Sequence, residues 1–199
     1  MKCDFCEKNI KNKIGFANIF KSSESICQEC KKILAVKINK INYTHYYLAN
    51  YEDIKEIIFA IKYFGHTEQA KKFSLSLRNF IKNNNFDLIT LAPTNKTREA
   101  IRGFNHVALI CQICKINYTE IFSENYRPKQ AKIHSKRNFH KVSILDNKKD
   151  FLKNVKSILI IDDIFTSGKT LLSLARELEN FNSHISISFL TLAKSNKNF

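Results

Sequence analysis

Ile158-Leu159-Ile160-Ile161-Asp162-Asp163-Ile164-Phe165-Thr166-Ser167-Gly168-Lys169-Thr170-Leu171 decides the fold class. A continuous apolar run ends in two adjacent carboxylates, a hydroxyl- and glycine-containing turn follows, and a helical segment begins. An apolar run of this length suits a strand buried on both faces, as in the parallel sheets of α/β proteins. The turn then lies at the carboxyl end of the strand, where open α/β sheets hold their ligands. Thr166, Ser167 and Thr170 supply hydroxyls, Gly168 permits close backbone approach, and N–H groups entering the next helix suit a phosphate. Asp162 and Asp163 suit ribose hydroxyls or a bridging Mg²⁺. The ending Gly168-Lys169-Thr170 looks like a Walker A loop, but that motif needs glycine five residues earlier, where Asp163 stands. A carboxylate there would repel the phosphates to be cradled, so the P-loop reading fails.

The amino terminus carries a second signal. Cys3-Asp4-Phe5-Cys6 and Cys27-Gln28-Glu29-Cys30 are two Cys-x-x-Cys pairs with the spacing of a zinc ribbon or knuckle. Disulfides would need an oxidising compartment, and the two residues before the first ligand, Met1 and Lys2, leave no room for a signal peptide's apolar core. No segment is apolar for long enough to cross a bilayer. The chain therefore reads as cytosolic, with Cys3, Cys6, Cys27 and Cys30 reduced and bound to structural Zn²⁺. Cys111 and Cys114 form a third pair inside an apolar helical stretch and read as core packing, since free cysteine behaves as a small buried hydrophobe.

The length of 199 residues accommodates one α/β domain plus a small metal module, divided here as 1–40 and 41–199. A module of that size depends on its metal for stability. Net charge of +15 implies attraction to polyanions, although a chain this rich in Lys, Asn and Ile carries part of its charge as compositional drift.

Along the chain, periodicity predicts a helix over 26–37 capped by Ser25, a strand over 41–50, and helices over 52–63 and 67–82. A strand over 86–92 follows, stopped by Pro93, then a polar loop, Thr94-Asn95-Lys96-Thr97-Arg98. A helix over 104–114 and a short strand near 119–122 precede a long segment, 123–143, with little apolar pattern. The strand over 157–161, a helix over 170–180 and a strand over 185–193 close the chain. This alternation predicts a mostly parallel sheet with helices on both faces.

The 158–171 stretch resembles the phosphoribosyl-pyrophosphate (PRPP) signature of type I phosphoribosyltransferases. The chain as a whole resembles the ComF family, competence-associated proteins with a zinc finger ahead of such a domain. The resemblance rests on the four-cysteine module, on Ile61-Lys62-Tyr63-Phe64-Gly65, on Arg102-Gly103-Phe104-Asn105, and on Gln130 followed by Arg137-Asn138. In the family the last arginine and asparagine are separated, whereas here they are adjacent. The resemblance implies a type I phosphoribosyltransferase fold. Asp162 and Asp163 would hold the ribose hydroxyls and help position Mg²⁺, and Thr166, Ser167, Gly168, Lys169 and Thr170 would wrap the 5′-phosphate. Thr94, Asn95 and Lys96 would contact pyrophosphate. It also implies handling of single-stranded DNA during natural transformation, with other competence proteins as possible partners; transfer from PRPP to an acceptor is the alternative. For DNA, the candidates combine charge with planar groups: Arg98, Arg102 and Phe104 near the pyrophosphate loop, and Arg127, Lys129, Lys136, Arg137 and Lys141 in the long segment.

Overall fold

The computed structural model describes Lys2, Cys3, Asn9, Ile10, Cys27, Ile33, Val36–Ile38 and residues 43–94, 96–125 and 141–195. The signature segment forms β6 (Ser157–Phe165), and Ile158, Leu159, Ile160 and Ile161 are completely buried. Successive side chains point to opposite faces of a strand, and the two faces of β6 feed two separate cores. Leu159 and Ile161 pack with Ile54, Ile58 and Ile61 of α1 (Tyr51–Phe64), Leu77 of α2 (Ser74–Asn83) and Ile110 of α4 (His106–Ile113). Ile158 and Ile160 pack with Leu171, Leu174 and Leu178 of α6 (Lys169–Phe181). Each such aliphatic side chain contributes about 1.5–3 kcal/mol by leaving water, which is why a strand with no polar face forms here.

The main sheet has the order β1-β2-β7-β6-β3, with β1 at Val36–Ile38, β2 at Thr44–Asn50, β3 at Leu88–Leu91 and β7 at Ser186–Lys194. β2, β7, β6 and β3 are parallel, and β1 pairs antiparallel on the β2 edge. A 3₁₀ helix (Thr67–Phe73) leads into α2, so the single helix expected over 67–82 is a 3₁₀ and an α segment in series. Both cores are closed by elements on opposite faces of the parallel strands, the expected α/β architecture. Among the described residues, no helix is long and apolar enough to cross a membrane.

Three local expectations are corrected. Val36 and Lys37, expected at the end of a helix over 26–37, lie in β1, because the edge of β2 offers a backbone ladder to a Val-x-Ile segment. The backbone of Ile33 accepts a hydrogen bond from the Ser76 hydroxyl, which ties that stretch to α2. The polar loop expected over 94–98 is helical from Lys96, as α3 (Lys96–Arg102). The ends of the patternless 123–143 segment form an antiparallel hairpin of β4 (Phe122–Asn125) and β5 (Lys141–Ile144), anchored by buried Phe122, Val142 and Ile144. A short helix, α5 (Lys149–Leu152), precedes β6.

His45 on β2 is fully buried, 3.0 Å from the Thr191 hydroxyl through Nε2, and its ring centroid lies 4.3 Å from that of Phe165. Nδ1 has no hydrogen-bond partner among the described residues. Burial, aided by the charge of Lys194, pushes its pKa down to about 4. The folded chain thus keeps this imidazole neutral while the unfolded chain protonates it near its ordinary value. Stability from this group is complete above about pH 6.5 and is lost as pH falls towards 4, by up to about 3 kcal/mol. Urea unfolding at pH 7 and 4.5 should show that loss, and His45→Leu should flatten it; an equal pH slope in the variant would refute the assignment.

Candidate functional site

The pairing of β3 with β6 stops at Leu91 opposite Ile161, where the Ala92 N–H donates to the Ile161 carbonyl at 2.8 Å. The chain turns away at Pro93, while β6 stays paired with β7 as far as Phe165. Asp162 and Asp163 therefore project beyond the end of one neighbouring strand, at the carboxyl edge of a parallel sheet. This is the crevice in which open α/β sheets place ligands.

Gly168 stands at the N-cap of α6 with φ of +70°, and its carbonyl accepts the first helical bond from the Leu172 N–H at 2.9 Å. The N–H groups of the first turn have no intrahelical partner and point out of the helix end with the positive end of its dipole. Thr166, Ser167, Lys169 and Thr170 are exposed around them, while Gly168 is buried. A Cβ on Gly168 would lie 2.8 Å from Cε2 of Phe165. The loop is thus seated on the Phe165 ring, which is in turn backed by His45. A helix end of this kind has the donors to take one phosphate-sized anion.

On the α1 and α4 side of β6, two polar groups contact Asp163 and a third stands behind them. Lys62 of α1 donates to Oδ2, and His106, at the start of α4, lies 3.0 Å from the same oxygen through Nε2. Arg102 Nη1 is 2.7 Å from Nδ1 of His106, and its guanidinium stands 5.9 Å from the centre of the Tyr63 ring. Arginine has only donors, so Nδ1 accepts and the imidazole proton sits on Nε2, donated to Asp163. Local sequence sets this geometry. Gly103, at φ of +82°, ends α3, and its N–H bonds the Glu99 carbonyl at 2.7 Å. The Asn105 side chain then caps α4, accepting from Val107 and Ala108 at 3.0 and 3.2 Å.

The electrostatics follow from these contacts. Burial works against ionising Asp163, yet the His106 hydrogen bond and the Lys62 charge together hold its carboxyl far below the usual range. Burial and the adjacent Asp163 charge push Asp162 up to about 7, although its carboxylate accepts the Asp163 N–H at 2.8 Å. Burial lowers the pKa of His106 despite its carboxylate partner, with Lys62 and Arg102 acting in the same direction. The site thus holds one firmly ionised carboxylate, one that gains a proton easily, a neutral imidazole and two cations.

Of the residues singled out from sequence, Asp162, Asp163, Thr166, Ser167, Gly168, Lys169 and Thr170 lie together around this edge. Thr94 is half-buried and Lys96 is exposed at the start of α3; Asn95 lies outside the described residues. Arg102 bonds His106, and Phe104 packs against the core that includes α1 and α4. Arg98 lies on α3, and Lys141 opens β5 opposite Asn125. Arg127, Lys129, Gln130, Lys136, Arg137 and Asn138 lie outside the described residues. Sequence reasoning missed Lys62 and His106 as site residues. Arg102 and His106 lie on different helices with Gly103 between them, so no helical spacing signalled their contact.

Cys111 and Cys114 are buried, and burial pushes the Cys111 thiol up to about 12, which agrees with a packing role. Cys3 and Cys27 are also buried, and the Cys27 N–H donates to Cys3 Sγ at 3.3 Å. Lys2 and Asn9, which flank the first cysteine pair in sequence, form an antiparallel bridge. The leading cysteines of the two pairs therefore meet; Cys6 and Cys30 lie outside the described residues.

Comparison with known proteins agrees with the α/β fold. Residues 99–198 match the phosphoribosyl transferase domain model. The competence protein ComFC of Bacillus subtilis (strain 168) is 27% identical over 187 residues, a match covering 87% of this chain and 74% of that protein.

Proposed function

The chain belongs to the phosphoribosyl transferase domain family, and from that membership we propose that its β6–α6 edge binds PRPP with Mg²⁺ in a competence-associated cytosolic protein that handles single-stranded DNA. The observation that carries the pocket is the pairing of the Gly168-capped helix end with ionised Asp163 on one strand terminus. The exposed amides and hydroxyls suit the 5′-phosphate, and the carboxylates suit ribose hydroxyls. The oxygens of Asp162 and Asp163 are the hard donors Mg²⁺ prefers, and the ion would neutralise charge on the diphosphate. In the alternative reading, the same pocket transfers phosphoribosyl to an acceptor. The C1′–oxygen bond then breaks with pyrophosphate keeping the electron pair, while Asp163 favours the cationic sugar electrostatically.

The DNA reading draws on the net charge of +15, the name of the ComFC relative, and a surface beside the pocket. Phe59, Tyr63 and Phe64 are 49%, 63% and 67% exposed and lie ring against ring, with Arg102 over Tyr63. Rings next to a guanidinium are platforms on which unpaired bases stack. A fluorescent single-stranded oligonucleotide should bind with log K falling against log salt at a slope of about −4 if six phosphates are neutralised. A flat salt response would contradict it.

The meeting of Cys3 and Cys27 fits a shared tetrahedral ion, and structural Zn²⁺ held by Cys3, Cys6, Cys27 and Cys30 completes the proposal. Purified protein should carry one zinc per chain, and Cys3→Ser should lose it together with amino-terminal stability. A folded variant with its full metal content would remove Cys3 from the ligand set.

A further inference from the structure

His45 is a costly residue to bury where it stands. It sits on β2, between β1 and β7, with no exposed surface, and its Nδ1 has no hydrogen-bond partner among the described residues. A buried polar atom without a partner destabilises a fold, and an aliphatic side chain of similar size would fill the space without that penalty. Core packing alone therefore does not account for an imidazole at this position.

The imidazole belongs to a line of contacts that ends at the phosphate loop. Its Nε2 is 3.0 Å from the hydroxyl of Thr191 on β7, and Thr191 is the residue paired with Asp162 on β6. That contact fixes the ring plane relative to the strand pair that carries the carboxylates. Phe165 rests on the ring, with 4.3 Å between centroids and 44° between planes, and its carbonyl accepts the Ser195 N–H at 2.9 Å. Gly168 comes so close to Phe165 that a Cβ there would lie 2.8 Å from the ring. Thr191, His45, Phe165 and Gly168 thus form one stack, from the level of Asp162 in the sheet to the N-cap of α6. An aliphatic residue at position 45 would offer neither the bond to Thr191 nor a flat face to Phe165.

We infer that His45 is a positioning residue for phosphosugar binding: through Phe165 it sets the place of the Gly168 loop relative to Asp162 and Asp163. The inference rests on the phosphosugar reading above and extends its site to β2, a strand that carries none of the signature residues. A ligand with its phosphate on the loop and its ribose hydroxyls on the carboxylates gains most when the separation of the two is fixed before it arrives. Preorganisation of that kind raises affinity without any new contact to the ligand. The unpartnered nitrogen is its cost in stability, as strain held at binding sites commonly is.

The experiment is calorimetric titration of the full chain with ribose 5-phosphate in Mg²⁺, with thermal melts of the same proteins at neutral pH. Wild type should bind. His45→Leu should weaken ribose 5-phosphate about 10-fold while melting at the wild-type temperature or about 2–4 °C above it. A residue that only packs the core would not lose affinity and keep stability together. Thr191→Val leaves the imidazole but removes its anchor, so it should weaken binding by about 3-fold or more. The double variant should bind no worse than His45→Leu alone, because both substitutions break one chain of contacts. His45→Gln, whose amide can restore the bond to Thr191, should return the affinity to within about 3-fold of wild type. Unchanged affinity in His45→Leu would overturn the inference. So would a melting temperature that falls in step with affinity and no recovery by His45→Gln, since His45 would then act only in the core. If wild type does not bind ribose 5-phosphate, the phosphosugar reading itself falls, and this inference with it.

Discussion

Asp163→Asn should destabilise the chain by about 2–3 kcal/mol, because it removes the countercharge of a largely buried ammonium. The Lys62 side chain is 13% exposed and that of Asp163 is 22%, so water replaces little of what is lost. The amide cannot carry the charge that Lys62 faces, and its NH₂ would confront Nζ or Nε2 in one of its two orientations. His106 loses an anionic acceptor for its Nε2 proton, which also loosens the Arg102 contact behind it. With the neighbouring negative charge gone, the carboxyl of Asp162 should fall from about 7 towards the ordinary range, since Asp163 contributes to raising it. The wild-type contribution has a definite sign with pH. A carboxyl whose folded pKa is depressed stabilises above its unfolded pKa, near 3.8, and loses that contribution as acid is added. Chemical unfolding at pH 7, 4 and 2.5 should therefore show the variant's deficit nearly unchanged at pH 4 and shrinking at pH 2.5, below the unfolded pKa. A deficit under about 0.5 kcal/mol at pH 7 would mean that Lys62 and His106 are held elsewhere.

Gly168→Ala should disable the phosphate cradle while leaving the sheet in place. Two penalties add. A residue with a Cβ pays about 1–2 kcal/mol for the left-handed conformation that Gly168 adopts. The new methyl also meets the Phe165 ring at 2.8 Å, and moving that ring presses on buried His45 behind it. The loop is the cheaper part to move, so the first turn of α6 should tilt and its amides lose their aim. PRPP affinity should drop at least about 100-fold, with a stability loss of about 2–3 kcal/mol. Phe165→Leu in the same chain should recover stability in part, because it removes the clash but not the backbone strain. A Gly168→Ala protein with wild-type PRPP affinity would show that the loop does not grip the ligand through its backbone.

How much of this was legible in the sequence depends on how local each cause is. β6 and α6 were readable because four consecutive aliphatics and one glycine sufficed to place a buried strand and the turn after it. The parallel sheet followed from alternation alone. β1 was not readable: Val36–Ile38 becomes a strand because β2 offers an edge, and that edge is made by residues further along the chain. β5 was hidden, and the strand expected near 119–122 begins only at Phe122, because only Phe122, Val142 and Ile144 face the core, within otherwise polar segments. The site was half legible. Asp162, Asp163 and the loop sit on one contiguous stretch, but the grip on Asp163 is assembled from three. In sequence Lys62 stands out only within the Ile61–Gly65 stretch, and His106 only as part of the helix expected over 104–114. Packing of α1 and α4 on the same face of β6 brings them together. Arg102, read as a DNA contact, faces His106, a placement that no pattern of basic residues could reveal.

The most direct test of the phosphosugar site is titration of wild type and of the Asp162→Ala/Asp163→Ala double variant with PRPP in Mg²⁺. Wild type should show saturable binding of one ligand per chain, and the double variant, folded by circular dichroism, should show none. Equal binding by the two proteins, or no binding by wild type, would contradict the account.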